Sequence, residues 1–292
     1  MLIANPIYDA VFKYLMEDVE IARGLLGTII GQEITELVLQ PQETTATSQL
    51  TGQIVKIYRL DFTAIIKQAD GSYRKVLIEL QKSKHLADIM RFRRYLAQNY
   101  QKEDEIINAS GEQEHKVLPI VTIYFLGFKL KHISVPVLKV NNCYYDVIRG
   151  EPLEKTEKED FIELLNHESY TIQIPKLKNR LKTRLEKVLM VFSQDYSTED
   201  RHQLDFGGDD DDPLLKKMLR RLHRVVSDPA IRQQMDIEDE MERIYNRELK
   251  ALHEKVIEKD KVIEEKDKQL QERKRGFFVR LFGRLSSEYK AQ

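Results

Sequence analysis

Two acidic residues, Asp61 and Glu79, have the types and spacing best suited to chemistry. They lie in segments 56–67 and 72–81, which are rich in Ile, Val, Leu, Tyr and Phe and flank an Ala-Asp-Gly tripeptide that ends at Gly71. A three-residue loop that ends in glycine is a common hairpin connection, so we predict an antiparallel hairpin. Its register places Asp61 directly across from Glu79, with about 4.5–5.5 Å between their Cβ atoms.

The repulsion between the two carboxylates must be reduced, because like charges directly opposite one another destabilise a pair of strands. Either one carboxyl group keeps its proton or a cation lies between them, and a divalent ion with oxygen ligands is the natural choice. Gln81 follows Glu79 by two residues and shares its face of the sheet. The alternative without a metal is that the pair faces bulk water, or that Arg59 or Lys75 neutralises it.

The elements around the hairpin indicate a mixed α/β fold. Residues 85–100 have helical spacing, with Ile89, Phe92 and Leu96 predicted to face inward. Residues 117–128 form a continuous apolar run, typical of a strand that is buried on both faces. The other face of the hairpin is apolar and should pack on helices; its residues are Tyr58, Leu60, Phe62, Ala64, Ile66, Val76, Ile78 and Leu80.

Two helices are predicted before the hairpin. Asn5 is placed to cap the first, with Pro6 at its first position. Asp18 is placed to cap the second, which should end at Gly31.

Three segments together resemble the Rpn-like recombination-promoting nucleases, also described as PD-(D/E)XK family transposases. The segments are Asn5-Pro6-Ile7-Tyr8-Asp9-Ala10-Val11-Phe12-Lys13, the hairpin with Asp61 and Ile78-Glu79-Leu80-Gln81, and Arg91-Phe92-Arg93-Arg94-Tyr95-Leu96 before Tyr100. The resemblance covers roughly residues 1–150. It implies a restriction-endonuclease-like core, in which helices flank a mixed sheet, and metal-dependent cleavage of DNA.

The resemblance also implies roles for individual residues. Asp61 and Glu79 would be ligands of Mg²⁺ or Mn²⁺, with the carbonyl of Leu80 as a third. Gln81 stands where many PD-(D/E)XK enzymes have the lysine that activates water; glutamine is common in this subfamily. Glutamine carries no charge but can still position water by hydrogen bonds, and Lys82 is expected on the opposite face of the sheet.

Asp9 and Lys13 share one helix face and have two interpretations. They form either a surface ion pair or, as the resemblance implies, an additional acidic group and a phosphate contact at the metal site. Lys13 could supply charge there if its helix lies beside the hairpin.

The helix that follows the hairpin carries three further candidates. Arg91 and Tyr95 either pack and solubilise their helix or contact a phosphate. Gln98, one turn later, is a weaker candidate for substrate binding.

The rest of the chain indicates three parts: a core over 1–150, a mostly helical accessory part over 151–206, and a helical extension over 207–292. In the extension, Leu249, Leu252, Val256, Ile263 and Leu270 fit a heptad that Lys259 and Lys266 interrupt, which favours a weak coiled coil that can join copies of the chain. Its last segment, 273–292, has six basic residues and one acidic residue and is amphipathic. It could contact an anionic membrane, nucleic acid, a partner helix or its own chain.

Composition narrows the function classes. The 292 residues have 47 basic and 48 acidic side chains, so a nucleic-acid site must be local. A single cysteine, Cys143, excludes a disulfide framework and a Cys-based zinc site within the chain. We expect neither a signal peptide nor a transmembrane segment, and a cytoplasmic location.

Two functions remain open on the sequence alone. The first is a metal-dependent DNA endonuclease associated with recombination or transposition, with RNA as an alternative substrate of the same site. The second is an inactive nuclease-like scaffold that binds nucleic acid or protein through its helical C-terminus. Retention of both carboxylates favours the first.

Overall fold

The computed structural model describes residues 1–42, 61–82, 86–107, 110–153, 159–177, 183–207 and 211–288. It divides the chain into two compact units, Met1–Met235 and Asp236–Gln292. Residues 56–60 of the predicted first hairpin strand, including Arg59, lie outside the described residues.

The strands of the described residues are β1 (Leu2–Ala4), β2 (Ile34–Gln42), β3 (Asp61–Gln68), β4 (Tyr73–Gln81), β5 (Asp104–Ile107), β6 (Gln113–Lys116), β7 (Ile120–Leu126), β8 (Val137–Val140), β9 (Tyr145–Asp146), β10 (Glu151–Pro152), β11 (His167–Gln173) and β12 (Gln203–Asp205). The α-helices are α1 (Asp9–Met16), α2 (Val19–Ile30), α3 (Leu86–Tyr100), α4 (Asp160–Leu165), α5 (Arg184–Leu189), α6 (Pro213–Arg224) and α7 (Pro229–Glu288).

The centre of the first unit is a six-stranded sheet in the order β2-β3-β4-β7-β11-β8. β7 is parallel to both β4 and β11, whereas β2–β3, β3–β4 and β8–β11 are antiparallel pairs. Helices flank this sheet, and a long helix ends the chain. The protein is therefore a mixed α/β protein, as predicted.

The hairpin β3–β4 has the predicted register. Asp61 pairs with Glu79 and Phe62 with Ile78. At the turn, Gly71 has φ +85°, a left-handed conformation that glycine adopts without strain.

The apolar face of the hairpin packs on α1 and α2. Phe62, Ala64, Ile66, Val76, Ile78 and Leu80 join one core cluster with residues of both helices. The Phe12 ring of α1 lies 6.1 Å from that of Phe62 and 5.3 Å from that of Phe125 on β7. The even-numbered residues of β3 and β4 therefore face these helices.

The start of the chain differs from the prediction. Asn5 does not cap α1, whose N-cap is Tyr8 without a side-chain hydrogen bond. Instead Asn5 is buried and its Nδ2 donates to Gln194 Oε1 (2.9 Å) and to the carbonyl of Arg201 (2.9 Å). The amide is thus used to fasten the chain beside β1, which pairs with β12.

The second predicted helix is confirmed at both ends. Asp18 accepts hydrogen bonds from the backbone N–H groups of Glu20 and Ile21, each at 3.1 Å, and Gly31 follows the helix with φ +77°. Lys217 of α6 reaches the same carboxylate at 3.0 Å. This cap therefore also joins α2 to α6.

A buried ion pair attaches a smaller hairpin, β5–β6, that the sequence pattern did not predict. Lys75 Nζ of β4 lies 2.6 Å from Asp104 Oδ1 at the start of β5, and both side chains are at most 5% exposed. Ile65, Ile106 and Leu118 form a small apolar cluster beside the pair. Lys75 is therefore committed to Asp104 and does not neutralise the acidic pair in the hairpin.

The helix α6 packs within the first unit, because its apolar residues, such as Leu215 and Met218, join the core. Asp212, part of an acidic run, accepts from the N–H groups of Leu214 (2.9 Å) and Leu215 (3.1 Å) and so caps this helix. The predicted boundaries at 150 and 206 stay predictions.

The second unit is the greater part of α7. Its heptad residues Leu249, Leu252, Val256, Ile263 and Leu270 are all exposed. No helix in the described part of the chain is both long and apolar enough to cross a bilayer.

Replacement of Lys75 by Met should destabilise the protein by about 3–5 kcal/mol, because Asp104 would remain buried without its counter-ion. The double variant Lys75→Met/Asp104→Leu should lose less, since it leaves no buried charge. Urea unfolding of the two single variants and the double variant measures this. If Lys75→Met lowers the free energy of unfolding by less than about 1 kcal/mol, the ion pair with Asp104 does not contribute to stability as we expect.

Replacement of Asp18 by Ala should cost about 1 kcal/mol at neutral pH through loss of the cap. Burial raises the pKa of Asp18, but hydrogen bonds from Lys217 and the Ile21 N–H outweigh it, so the pKa lies below its usual value. A lowered pKa gives stability that is present above about pH 4 and is lost as the pH falls through the folded-state pKa. Urea unfolding should therefore show the wild type and Asp18→Ala converging in acid, whereas Glu20→Ala should have a small effect throughout.

Candidate active site

Glu79 is the best-defined member of the candidate site. It lies in β4, two strands from one edge of the sheet, and is only 2% exposed. Asp61 occupies the directly opposed position on β3, so the two residues share a sheet face. The side chain of Asp61 lies outside the described residues. Because Glu79 is buried, it does not face bulk water.

The helix α3 lies over this face of the sheet. On β7, Tyr124 is the residue paired with Glu79, and the ring of Phe92 contacts the Tyr124 ring at 4.7 Å. At the far end of the helix, Tyr100 Oη lies 2.8 Å from His167 Nδ1 on β11. The first half of α3 therefore lies near the row that contains Glu79, and Arg91, next to Phe92, belongs to this half. The Arg91 side chain lies outside the described residues.

Gln81 has an unusual environment. Its side chain is 8% exposed, and Nε2 has no hydrogen-bond partner among the residues that the structure describes. The hydroxyl of Thr63, on the same face, is likewise buried without such a partner. Buried polar atoms of this kind are costly and point to a bound water or ligand. An amide nitrogen donates, so Gln81 fits a water molecule or a phosphate oxygen rather than a cation.

Close packing fixes the strand end that carries Gln81. The Gly127 N–H, just after β7, donates to the Gln81 carbonyl at 2.8 Å. A Cβ on residue 127 would collide with the Lys82 backbone. Leu80 lies between the two site residues with its side chain in the core on the other face. The backbone at residues 79–81 is therefore held in one place.

Lys82 turns to the other face of the sheet, as predicted. Its Nζ lies 3.8 Å from the centre of the buried Tyr8 ring. The face of an aromatic ring attracts a cation. This contact keeps the ammonium group of Lys82 on the face of the sheet opposite to Glu79 and Gln81.

Asp9 and Lys13 lie on α1, which packs on the apolar face of the hairpin. Their helix is therefore on the side of the sheet opposite to Glu79. Lys13 was expected to supply charge at the metal site if its helix lies beside the hairpin. The helix does lie beside the hairpin, but on its apolar face. The physical reason is that Phe12 and its neighbours bury the apolar surface of the sheet.

The residues of α3 that face inward differ from the prediction. Phe92, Tyr95 and Asn99 are buried, whereas Ile89 is exposed. The expected inward position of Ile89 is therefore wrong, because α3 covers a partly polar face that includes Glu79 and Tyr124. Asn99 Nδ2 donates to the Tyr95 carbonyl at 2.9 Å.

Of the candidates for substrate contact on α3, Tyr95 is directed toward the sheet and Gln98 toward solvent. Gln98 is therefore not brought beside Glu79. The neighbouring residue Asn99, whose side-chain amide is buried, was not identified from the sequence. Its position could have been predicted, because Phe92, Tyr95 and Asn99 follow one another at intervals of three and four residues and so share one face of the helix.

The described side chains include no group of three His, Cys, Asp or Glu residues that could hold a metal. Magnesium needs fewer, because it is commonly held by one or two carboxylates with water and substrate phosphate around it. Glu79 and the opposed Asp61 meet that requirement in residue type and register.

The basic helix α6 is largely occupied by its own chain. Lys216 pairs with Asp211 at 2.9 Å, and Arg221 donates to the Tyr14 carbonyl at 2.7 Å. Lys217 pairs with Asp18. These contacts favour a structural role for the helix over a role in binding DNA.

Comparisons with protein-family models, with curated proteins and with solved structures gave no match to this chain.

Replacement of Asp61 by Asn should stabilise the metal-free protein by about 1 kcal/mol, because it removes a like charge opposite Glu79. Added Mn²⁺ should raise the melting temperature of the wild type and leave that of Asp61→Asn unchanged. Thermal unfolding in EDTA and in Mn²⁺ measures both effects.

The matched control is Glu33→Gln, which removes an exposed carboxylate before β2. It should change neither the metal-free stability nor the response to Mn²⁺. If Mn²⁺ raised the melting temperature of Asp61→Asn as much as that of the wild type, the ion would not be bound by Asp61.

Proposed function

We propose that this protein is a metal-dependent DNA endonuclease of the PD-(D/E)XK type, similar to the recombination-promoting nucleases associated with transposition. The observation that carries the proposal is the register that places Asp61 directly opposite the buried Glu79. A directly opposed acidic pair in a hairpin is unfavourable unless one carboxyl group keeps its proton or a cation lies between the two. Such a cost is commonly retained where a residue pair has a function.

The surrounding structure supports the same proposal. The hairpin lies within a mixed sheet, with α1 on the apolar face and α3 on the face of Glu79. This arrangement agrees with the helix-flanked core that the resemblance implies. The site lies at the end of β4, the strand that precedes α3 in the chain.

The residues that would hold Mg²⁺ or Mn²⁺ are Asp61, Glu79 and the carbonyl of Leu80. When bound, the ion would polarise the scissile phosphate and lower the pKa of a coordinated water. The chain itself would contribute position, because the register of the hairpin holds Asp61 and Glu79 on one face of the sheet and the packed strand end fixes the backbone at Leu80.

Gln81 would orient the attacking water. Its Nε2 can donate to a water or phosphate oxygen, and its burial restricts the direction of that bond. It cannot accept a proton as a base at neutral pH, so proton transfer would pass to solvent or phosphate oxygen.

Arg91 and Tyr95 would bind a phosphate next to the cleaved bond, since both lie on the part of α3 that covers this face. Asp9 and Lys13 would contact DNA only from the opposite side of the sheet. A role for Gln98 would require DNA to follow the exposed side of α3.

A second function has an observation in its favour. The exposed heptad residues of α7, such as Leu252 and Val256, can associate with another helix. The chain would then be an inactive nuclease-like scaffold or a homo-oligomer joined through α7. Glutamine in place of lysine at position 81 agrees with reduced catalysis.

Incubation with Mg²⁺ or Mn²⁺ should let the wild type cleave plasmid DNA, and EDTA should abolish cleavage. Asp61→Ala and Glu79→Ala should each lower the rate at least about 10³-fold, because each removes a ligand of an ion worth several kcal/mol in the transition state. Single-turnover rates on labelled duplex DNA, with an RNA of the same sequence in parallel, measure activity and polymer preference.

Glu33→Ala is the control and should keep the wild-type rate. Circular dichroism and thermal unfolding must show that the two site variants are folded. Intact DNA and RNA with folded wild type in either metal would favour the scaffold function instead.

A further inference from the structure

A cleft lies at the turn end of the sheet, and the proposed endonuclease activity does not explain it. It has a volume of ≈ 290 Å³. Arg74, Val121 and Tyr170 form its sheet side, and Ile30 and Gln32 at the end of α2 are also among its lining residues. We call it the turn-end cleft.

The turn-end cleft is separate from the acidic pair. Arg74 lies five residues before Glu79 on β4, which corresponds to about 17 Å along an extended strand. Residues an odd number apart point to opposite faces, so Arg74 lies on the α2 face and Glu79 on the α3 face.

The guanidinium of Arg74 is held in place from one side. Its Nε donates to Gln68 Oε1 at 3.1 Å, and Gln68 is buried. Gln68 Nε2 in turn donates to Gln32 Oε1. This chain of amides uses the Nε–H of the guanidinium, and no hydrogen bond among the described residues uses its terminal nitrogens.

The acidic residues of the cleft are largely occupied by other groups. Glu168 Oε2 lies 3.2 Å from Lys139 Nζ, which also lies 5.3 Å from the centre of the Tyr170 ring. Asp70, on the exposed rim, accepts from the Ser72 N–H (2.9 Å) and hydroxyl (2.6 Å). Among the described residues, no ion pair within 4.0 Å includes Arg74. Hydrogen bonds from Ser72 and, to a lesser extent, the charge of Arg74 lower the pKa of Asp70. The cleft therefore has a positioned cation that interacts with Asp70 at longer range but has no carboxylate of a described residue in direct contact.

The walls beside Arg74 are apolar. Val121 and the Tyr170 ring lie on the sheet, and Ile30 lies at the end of α2. Tyr170 Oη donates to the Ile30 carbonyl at 3.3 Å, which ties the sheet to the helix end. The cleft is thus shaped before any ligand enters.

We propose that the turn-end cleft binds a small molecule that carries one oxyanion, a carboxylate or a phosphate monoester, on a short apolar body. The terminal nitrogens of Arg74 would form paired hydrogen bonds with the oxyanion, a geometry that a guanidinium favours. The apolar body would lie against Val121, Ile30 and the Tyr170 ring. The volume is near the lower limit for ligand pockets, so the ligand is small.

Isothermal titration calorimetry in EDTA tests the proposal with inorganic phosphate, phenyl phosphate and benzyl alcohol. EDTA removes divalent ions, so the acidic pair cannot bind phosphate through a metal. We expect saturable binding of both anions, with phenyl phosphate tighter than phosphate because of its ring. Benzyl alcohol should bind at least about ten-fold more weakly than phenyl phosphate, since it lacks the charge.

The variant Arg74→Gln should weaken phenyl phosphate binding about ten-fold or more. Arg74→Lys, which keeps the charge but not the paired donors, should be intermediate and carries the test if Arg74→Gln fails to fold. The control is Arg23→Gln on α2, outside the lining of the cleft, which should bind like the wild type.

Three results would overturn the proposal: no saturable binding by the wild type, wild-type affinity in the folded Arg74 variants, or equal affinity for benzyl alcohol. DNA cleavage by Arg74→Gln should equal that of the wild type. If the protein does not cleave DNA, the calorimetric test of the turn-end cleft is therefore unaffected. If the cleft binds no anion, the test of DNA cleavage is likewise unaffected.

Discussion

The central constraint on this protein is the pairing of two carboxylates across one hairpin. Glu79 is almost completely buried, and Asp61 is held opposite to it by the register of β3 and β4. The strands cannot relieve the repulsion by slipping one residue, because a slip would move Phe62, Ala64 and Ile66 out of the core. Core packing on one face therefore fixes the opposition of Asp61 and Glu79 on the other, and the proposed cation would offset the repulsion between their carboxylates without any change in register.

The two faces of the sheet differ in composition: one is apolar and packs in the core, and the other carries the polar residues of the candidate site. The face toward α1 and α2 is filled with aliphatic and phenyl side chains. The face toward α3 carries Thr63, Glu79, Gln81 and Tyr124. Thr63 Oγ1 and Gln81 Nε2 are buried there without hydrogen-bond partners among the described residues. A helix over such a face contributes less apolar packing, which explains why α3 buries Tyr95 and Asn99 rather than a full row of aliphatic residues.

Local patterns predicted the parts of the fold that local forces determine. The turn at Gly71, the caps at Asp18 and Gly31 and the hairpin register follow from residues close together in sequence. The role of Asn5 could not be predicted in this way, because its partners are Gln194 and Arg201.

The same distinction applies to the other missed elements. The hairpin β5–β6 depends on Asp104 reaching Lys75, and the strand Gln113–Lys116 is polar and exposed, so it lacks the alternation that marks a half-buried strand. For the candidate site, the opposition of Asp61 and Glu79 was predictable from the turn. The separation of Lys13 from that pair was not, because it depends on which face of the sheet α1 covers.

Electrostatics links the proposed metal to the proposed substrate. The chain is nearly neutral, and much of the basic surface of α6 is committed to Asp18, Asp211 and Tyr14. Without a cation, an acidic pair repels a phosphate backbone. A divalent ion between two carboxylates cancels their charge, and the ion itself can then contact a phosphate oxygen. Since each ligand raises the affinity for the other by the same factor, binding of metal and binding of DNA should be reciprocally coupled at this site.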